Sequence, residues 1–450
     1  MVSQPNRENA FCRYDGKSLR YPSTIPTAPL AEGYREEPYW WQEAPPVEAS
    51  PMELPAETDV VIVGGGYTGV VAASELARRG RAVVLLEKHE LGWGASTRNG
   101  GMVHPGFKVG ANTLLRRYGD GGRQLYQASL DAFRLVEQTV QAHNIDCDYR
   151  RTGHIAVAFK PGHLARLEGE ANVLSNEFGV SARVLDRVAL ESEIGSSLYH
   201  GGLLVEQSGG LHSAKYFAGL CQVACEHGAA LFSRRAATSI ERDDQAFVVS
   251  LDGRRIRARQ VLVATDGYTD RLLPGLRRRV VPIGSYMIAT EPLPPDLARS
   301  AIRKGRMLFD TKNFLYYWRL SNDDRVLFGG RASFASTSME KARDWLHAAM
   351  VSVHPQLRDV KVAYAWGGQV GFTFDWLPHI GRMDGITYAV GYCGTGIAMS
   401  TYFGHLAASW IAGEELPGCW RRPFPTLPLY RERAWFLPAL GWYLGASDRL

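Results

Sequence analysis

The sequence predicts an α/β chain: a discontinuous Rossmann-type dinucleotide-binding domain with an inserted α+β substrate domain built on a mainly antiparallel sheet. Three observations predict it. Residues 59–88, "DVVIVGGGYTGVVAASELARRGRAVVLLEK", read as strand, glycine turn, helix, strand. Two further strand–glycine runs, "RQVLVATDGY" and "ITYAVGYCGTG", return far downstream. Between them the text turns strand-rich, with "VVPIGSYMIATEP", "FLYYWRL" and "RVLFGGR", so the nucleotide domain is interrupted by another unit.

Taken in order, residues 1–57 are rich in Pro, Glu and aromatics and read as an extended arm anchored by "PYWWQEAPP". The run "VVIV" is continuously apolar, as a fully buried parallel strand is. The helix after it closes on Gly80, the usual residue just past a helix end. Residues 111–143 repeat apolar positions every three or four residues and read as helical, followed by the strand "HIAVAF" and the helix "HLARLEGEANVLSNEFG". "KYFAGLCQVACEHG" is a helix with a glycine cap, and a helix covers 339–353. The predicted dinucleotide domain is 58–110, 211–280 and 366–425; the substrate domain is 111–210 and 281–365; the apolar tail 426–450 packs on the body.

The totals narrow the class. The chain has 450 residues, 45% hydrophobic, with a formal net charge of +5. Its basic clusters lack interleaved aromatics, which argues against nucleic-acid binding. Six cysteines without a CxxC pattern read as reduced thiols, and no metal site is expected. The N-terminus has no apolar signal core and no window is long enough to span a bilayer, so a cytoplasmic protein is expected.

"GGGYTG" places Gly64, Gly66 and Gly69 in the GxGxxG spacing between a buried strand and a helix. There Gly64 turns the chain, Gly66 admits a pyrophosphate and Gly69 lets helix and strand approach. The phosphates would sit on unpaired amides at the helix N-terminus. Glu87, ending the second strand, suits both ribose hydroxyls and repels a 2′-phosphate. The following loop, "GASTRNGGMVHPG" (94–106), decides between dinucleotides. An NAD dehydrogenase would run on into another helix; small residues with Ser, Thr and Asn let backbone lie against a flat ring such as a flavin.

With "YWW", "DVVIVGGGYTG", "GASTRNGG", "VLVATDGYT", "VLFGGR", "FDWLPHIGR" and "YAVGYCGTGIAMS", the chain resembles the FAD-dependent oxidoreductases of the D-amino-acid-oxidase (DAO) superfamily over about residues 38–450, and within it the gamma-glutamylputrescine oxidase-like amine oxidases. The resemblance implies non-covalent FAD. It assigns Gly64, Gly66, Tyr67, Thr68, Gly69, Glu87 and Lys88 to the ADP half and Ser96, Arg98, Asn99, Gly100, Gly101 and Met102 to the ribityl chain and flavin. Ala237 would contact adenine. Ala264, Thr265 and Gly267 would close over the dinucleotide, and Pro378, Gly394, Thr395, Gly396 and Ile397 would approach the pyrimidine side. The "CGTG" run also opens a helix, whose amides would stabilise negative charge there. Cys393 lies near the ring in this reading but outside the setting that relatives use for covalent attachment.

Relatives that oxidise α-amino acids carry an Arg in the "WxGxR" segment; here it reads "WGGQV", and the position is Val370 beside Gln369. No guanidinium fork is available there. An amine is therefore expected as substrate, oxidised to an imine that hydrolyses to an aldehyde, with dioxygen or another acceptor taking the electrons. An amino-acid or N-methyl-amino-acid oxidase with a relocated clamp, a non-catalytic FAD-binding subunit and an NAD dehydrogenase are the alternatives. Site candidates are Tyr317 and Arg319, which share a strand face, and His104, readable as a base beside the ring or as a hydrogen-bonded loop histidine. Tyr286 and Lys312 are weaker candidates. A monomer or homodimer is expected.

Overall fold

The computed structural model describes residues 13–14, 19–20, 25–49, 52–331, 334, 337–428, 430–431 and 434–449, with the side chains of 13–14, 19–20 and 449 excluded; most of the predicted arm before residue 25 lies outside the described residues. Two sheets organise the chain. In the first, parallel strands run in the order Ala230–Phe232, Val83–Leu86, Glu57–Val63, Arg254–Val263 and Ile386–Val390. Val60 to Val63 and Val83 to Leu86 are all buried because helices cover one face and a hairpin with the tail side covers the other. The long strand Arg254–Val263 pairs through its first half with the antiparallel hairpin Ser239–Asp243/Ala246–Leu251 and through its last residues with Ile386–Val390. The two distant pieces thus rejoin the first βαβ unit.

The second sheet has nine strands in the order Leu30–Arg35, Val362–Phe372, Val281–Thr290, Val326–Gly330, Tyr317–Leu320, Met307–Asp310, His154–Val157, Gly202–Val205 and Ala182–Leu185. All neighbours are antiparallel except two pairs. The helix Met339–Val353 packs its buried Leu346, Ala349, Met350 and Val353 on this sheet. The predicted boundary at 366 falls inside Val362–Phe372, because ten register pairs tie that strand to Val281–Thr290. The predicted helix over 111–143 is two, Ala111–Tyr118 and Asp120–Ala142, broken at Gly119, whose φ of +52° no helix accommodates. Both helices share a core with Gly396–Ile411, the first sheet and Ala156, Leu203 and Val205 of the second sheet, so their buried faces serve both layers.

The arm contributes an edge strand, Leu30–Arg35, and a 3₁₀ turn, Tyr39–Gln42, that buries Tyr39 and Trp40. The apolar tail forms the helix Leu437–Arg449. Leu437, Leu440 and Leu444 face the main cavity, while Trp442 and Tyr443 are exposed. Among the described residues no helix is long and apolar enough to cross a membrane.

Candidate active site

One cavity of 1460 Å³ runs from the glycine turn at Gly64 to the tail helix at Leu444. That exceeds the roughly 300–1,000 Å³ of a site for a single drug-sized ligand, so an extended dinucleotide and a small second ligand both have room.

At one end Gly64 has a φ of +112°, and a Cβ on it would lie 2.6 Å from the Ala264 carbonyl oxygen. Only glycine fits where three chain segments meet. Gly66 caps the helix Tyr67–Arg78 without a side-chain bond, and its neighbour Ser96 accepts the Tyr67 N–H at 3.0 Å. The amides after it have no intrahelical acceptor. Glu87 is fixed by backbone: Oε2 accepts the Gly65 N–H at 2.7 Å and Oε1 the His89 N–H at 2.9 Å. Each oxygen keeps a lone pair for a hydroxyl. Lys88, Ala237, Ala264 and Thr265 line the same end.

The loop 94–104 forms the middle of the cavity and is held from behind by indoles. Trp40 Nε1 donates to the Asn99 carbonyl at 2.7 Å, Trp41 Nε1 to Thr97 Oγ1 at 2.8 Å, and Trp366 Nε1 to the Arg98 carbonyl at 2.8 Å. Asn99 closes the loop on itself, donating to Ala95 and Ser96 carbonyls and accepting from Gly101 N–H and Ser213 Oγ. The Arg98 guanidinium lies between the rings of Trp41 and Trp93, 4.6 Å from each, and donates to the Trp93 and Gly367 carbonyls. Ser96, Arg98, Asn99, Gly100 and Met102 line the cavity, as do Tyr67, Thr68, Gly394, Thr395, Gly396 and Ile397. Gly396 opens the helix Gly396–Ile411, so its first-turn amides serve this wall.

Beyond the loop lies a chamber walled by His104, His154, Phe309, Lys312, Tyr317, Arg331 and Phe372. The Tyr317 ring covers Gly100, where a Cβ would lie 3.2 Å from it, and its hydroxyl shares a 3.1 Å hydrogen bond with Ser285. His104 Nδ1 meets the Pro105 carbonyl at 3.0 Å, so Nδ1 carries the proton and Nε2 is an acceptor. Burial pushes the pKa of His104 down and that of His154, 5.6 Å away ring to ring, down further, which leaves both neutral at pH 7. Lys312 pairs with Asp310 at 3.0 Å and lies over the Tyr316 ring.

Several predicted positions lie elsewhere. Arg319 does not line the cavity, and the expected substrate contact is corrected: its Nη1 donates to the Gly101 carbonyl at 2.6 Å and the Leu211 carbonyl at 3.1 Å. It shares a strand face with Tyr317, but its guanidinium is spent on the back of the loop. Gly69, Gly101, Gly267 and Pro378 also lie behind the wall. A Cβ on Gly69 would collide with the Gly64 carbonyl, one on Gly101 (φ +67°) with the Leu211 carbonyl, and one on Gly267 would lie 2.9 Å from Gly371 N. The Pro378 carbonyl takes a bond from Arg422. Tyr286 packs with the second core instead. Cys393 lines the wall, but burial pushes its thiol up to about 12. Sequence reading missed Lys108 and Arg331, which line the chamber, and Asp266, a buried carboxylate that accepts the Gly391 N–H at 2.7 Å and the Gly371 N–H at 3.3 Å and so ties the two sheets together. Arg331 stands in the quoted "VLFGGR"; Lys108 had only its place four residues after His104 as a signal.

A dinucleotide cradle continuous with a closed chamber, on two sheets of this topology, defines a two-domain flavoprotein oxidoreductase. The chain belongs to the DAO family of FAD-dependent oxidoreductases, whose family model, "FAD dependent oxidoreductase", matches residues 59–410. It is 33% identical over 359 residues to the gamma-glutamylputrescine oxidoreductase of Escherichia coli (strain K12), covering 79% of this chain and 84% of that one. It is 31% identical over 373 residues to the probable oxidoreductase OrdL of Haemophilus influenzae, covering 81% and 85%. Among solved structures, the glycine oxidase from Geobacillus kaustophilus superposes with a TM-score of 0.69 at 21% identity, over 84% of this chain and 99% of that one. The chain is thus an FAD-dependent enzyme acting on amines or amino acids. The cradle fits FAD: the glycine turn Gly64 to Gly66, the first turn of the helix Tyr67–Arg78 and the Glu87 carboxylate line one end of the cavity, and Ser96, Asn99 and Gly100 continue it.

Proposed function

We propose that this protein oxidises a primary or secondary alkylamine at its C–N bond. FAD supplies the two-electron acceptor that takes the α-hydrogen with its electron pair. In the product the carbon–nitrogen bond is double; water then adds and the imine splits to an aldehyde and ammonia or a smaller amine. In this reading Glu87 binds the adenosine ribose, the first-turn amides after Gly66 take the pyrophosphate, and loop 96–102 lies along the ribityl chain and ring. Gly394 to Ile397 face the pyrimidine edge, where helix amides favour negative charge.

The amine must be neutral before its α-hydrogen can leave with electrons, and this is where the chain's own groups act. His104 is neutral because desolvation lowers its pKa, and with Nδ1–H on the Pro105 carbonyl its Nε2 can accept a hydrogen bond from the substrate nitrogen while the ammonium proton passes to solvent. Tyr317 and Phe309 give the chamber an aromatic wall beside these groups. The observation that carries the reading is the cavity wall at Gln369 and Val370, where neither side chain can supply a guanidinium fork; the guanidinium that does line the chamber, Arg331, stands past the end of a different strand, Val326–Gly330. The name of the 33% identical relative supports the same class.

The test is anaerobic mixing of the yellow holoprotein with monoalkylamines, N-acyl diamines, N-methyl amines and α-amino acids. Amines are expected to bleach the flavin and release aldehyde. Bleaching by α-amino acids alone would replace this reading with an amino-acid oxidase, and bleaching by none with a non-catalytic FAD-binding subunit.

A further inference from the structure

The chamber holds two cations that no hydrogen bond or close ion pair among the described residues engages. Arg98 and Arg319 spend their donors on carbonyls, and Lys312 pairs with Asp310. Lys108 and Arg331 also line the cavity, yet among the described residues neither has a hydrogen bond to an acceptor or an ion pair with a carboxylate. The only partner of the Arg331 guanidinium there is the Phe372 ring, 5.4 Å from its centroid, which leaves its in-plane N–H donors unused. An uncompensated buried charge is costly, so two on one wall call for an anion.

The local charge count agrees. Lys108, Lys312 and Arg331 are set against Asp310 and Asp448, which leaves +1. Asp448 is already engaged, accepting from the Asn313 N–H and side-chain amide at 2.9 Å and from the Phe314 N–H at 3.0 Å. At the rim Arg166 and Glu170 cancel, and His104, His154 and His163 are held neutral by burial. One monoanion balances the wall.

Register gives the position. Gly329 pairs with Tyr317, and a Cβ on Gly329 would run into the Tyr317 ring, so the two share the cavity face. Arg331 is two residues further along, on the same face and about 7 Å away. Tyr317 lies over the loop residue Gly100, so the Arg331 backbone follows one strand step beyond that point.

We propose that Arg331 and Lys108 form a carboxylate clamp that selects an alkylamine carrying a carboxylate remote from the nitrogen that reacts. The proposal rests on the amine reading above. Arg331 supplies the planar fork and Lys108 a second, point-like donor; Phe309, Phe334 and Phe372 line the path for the intervening methylenes.

The test compares matched probes: hexylamine with 6-aminohexanoate, and N-acetylputrescine with gamma-glutamylputrescine. In the wild-type holoprotein, the carboxylated member of each pair is expected to have the lower KM for flavin reduction. R331M and K108M should each raise that KM roughly 10- to 100-fold while changing the uncharged member's KM less than about threefold. R331K should recover part of the loss, and flavin content and Tm control for folding. A binding titration with glutarate, read from the flavin spectrum, gives the same comparison without turnover; should R331M fail to fold, K108M alone decides. If amines bleach the flavin but matched probes behave alike, or both variants leave the KM ratio unchanged, the clamp is overturned and the amine reading stands. If no amine bleaches it, the amine reading itself fails.

Discussion

Replacing Arg319 with Met separates two roles that this residue could play. In the structure its Nη1 serves the Gly101 and Leu211 carbonyls, and Nε the Leu320 carbonyl. Methionine replaces the aliphatic stem, stops short of the guanidinium position and donates nothing. The Leu211 carbonyl then loses its side-chain donor, at about 1–3 kcal/mol for a buried acceptor left unpaired. The Gly101 carbonyl keeps the Leu211 N–H at 2.9 Å and loses only the charge-assisted bond, about 1.5–3 kcal/mol. Part is offset, because the guanidinium is itself desolvated, with burial pulling its pKa down to about 10. A net loss of about 2–4 kcal/mol remains. At roughly 2.1 cal/mol/K per residue, a chain of this size loses only about 1 °C per kcal/mol, so Tm should fall by about 2–4 °C. Gly101 follows directly on the loop residues that face the cavity, so about half the loss should appear as weaker FAD binding, near tenfold in Kd. Thermal unfolding and a fluorescence titration of apoprotein with FAD measure both. The ratio of KM values for carboxylated and uncharged amines should not move. A normal Tm and normal FAD affinity, with KM raised only for carboxylated amines, would refute the reasoning and return Arg319 to the substrate.

W40F should strand the Asn99 carbonyl and lower FAD affinity by roughly 5- to 50-fold at unchanged substrate KM, checked by the same titration. Burial, with the charge of Arg331 second, pulls Lys108 down to about 8. The clamp needs its charged form, so KM for a carboxylated amine should rise as pH passes upward through about 8, and K108M should lack that rise. His104, His154, His212 and His354 are all depressed by burial, the last two to about 4. The unfolded chain therefore binds more protons below about pH 6.5, and Tm should fall as pH drops from 6.5 toward 4. With the Cys393 thiol pushed up to about 12, acid precipitation should leave all the FAD in the supernatant, and C393A should still bind it.

The dinucleotide half was legible because its signals are local. Gly64, Gly66 and Glu87 lie within one βαβ unit, and Leu262 pairing with Thr387 needed only the recognition of two more buried strands. The helices over 111–142 show the limit of amphipathic periodicity, which marks a buried face without saying what buries it: Leu114 and Leu125 share a core with Met399 and Phe403 and also with Ala156, Leu203 and Val205 of the second sheet. Arg319 shows the limit of strand parity. Its Cβ shares a face with Tyr317, but a planar guanidinium on a long flexible stem reaches past the wall to the Gly101 carbonyl. The "YWW" run was read as an anchor; that its indoles donate into loop 97–99 depends on a contact across some sixty positions of chain, which no local pattern carries. Lys108 and Arg331 gain meaning only from the lack of partners around them.

We propose that the chamber beyond loop 94–104 serves amine oxidation by the bound flavin. Anaerobic titration of the holoprotein with a carboxylated alkylamine tests it most directly, following the visible flavin absorbance and aldehyde together. Full bleaching is expected, with aldehyde formed in equal amount to the FAD reduced. A yellow colour that persists through excess amine, while dithionite still bleaches it, would contradict the account.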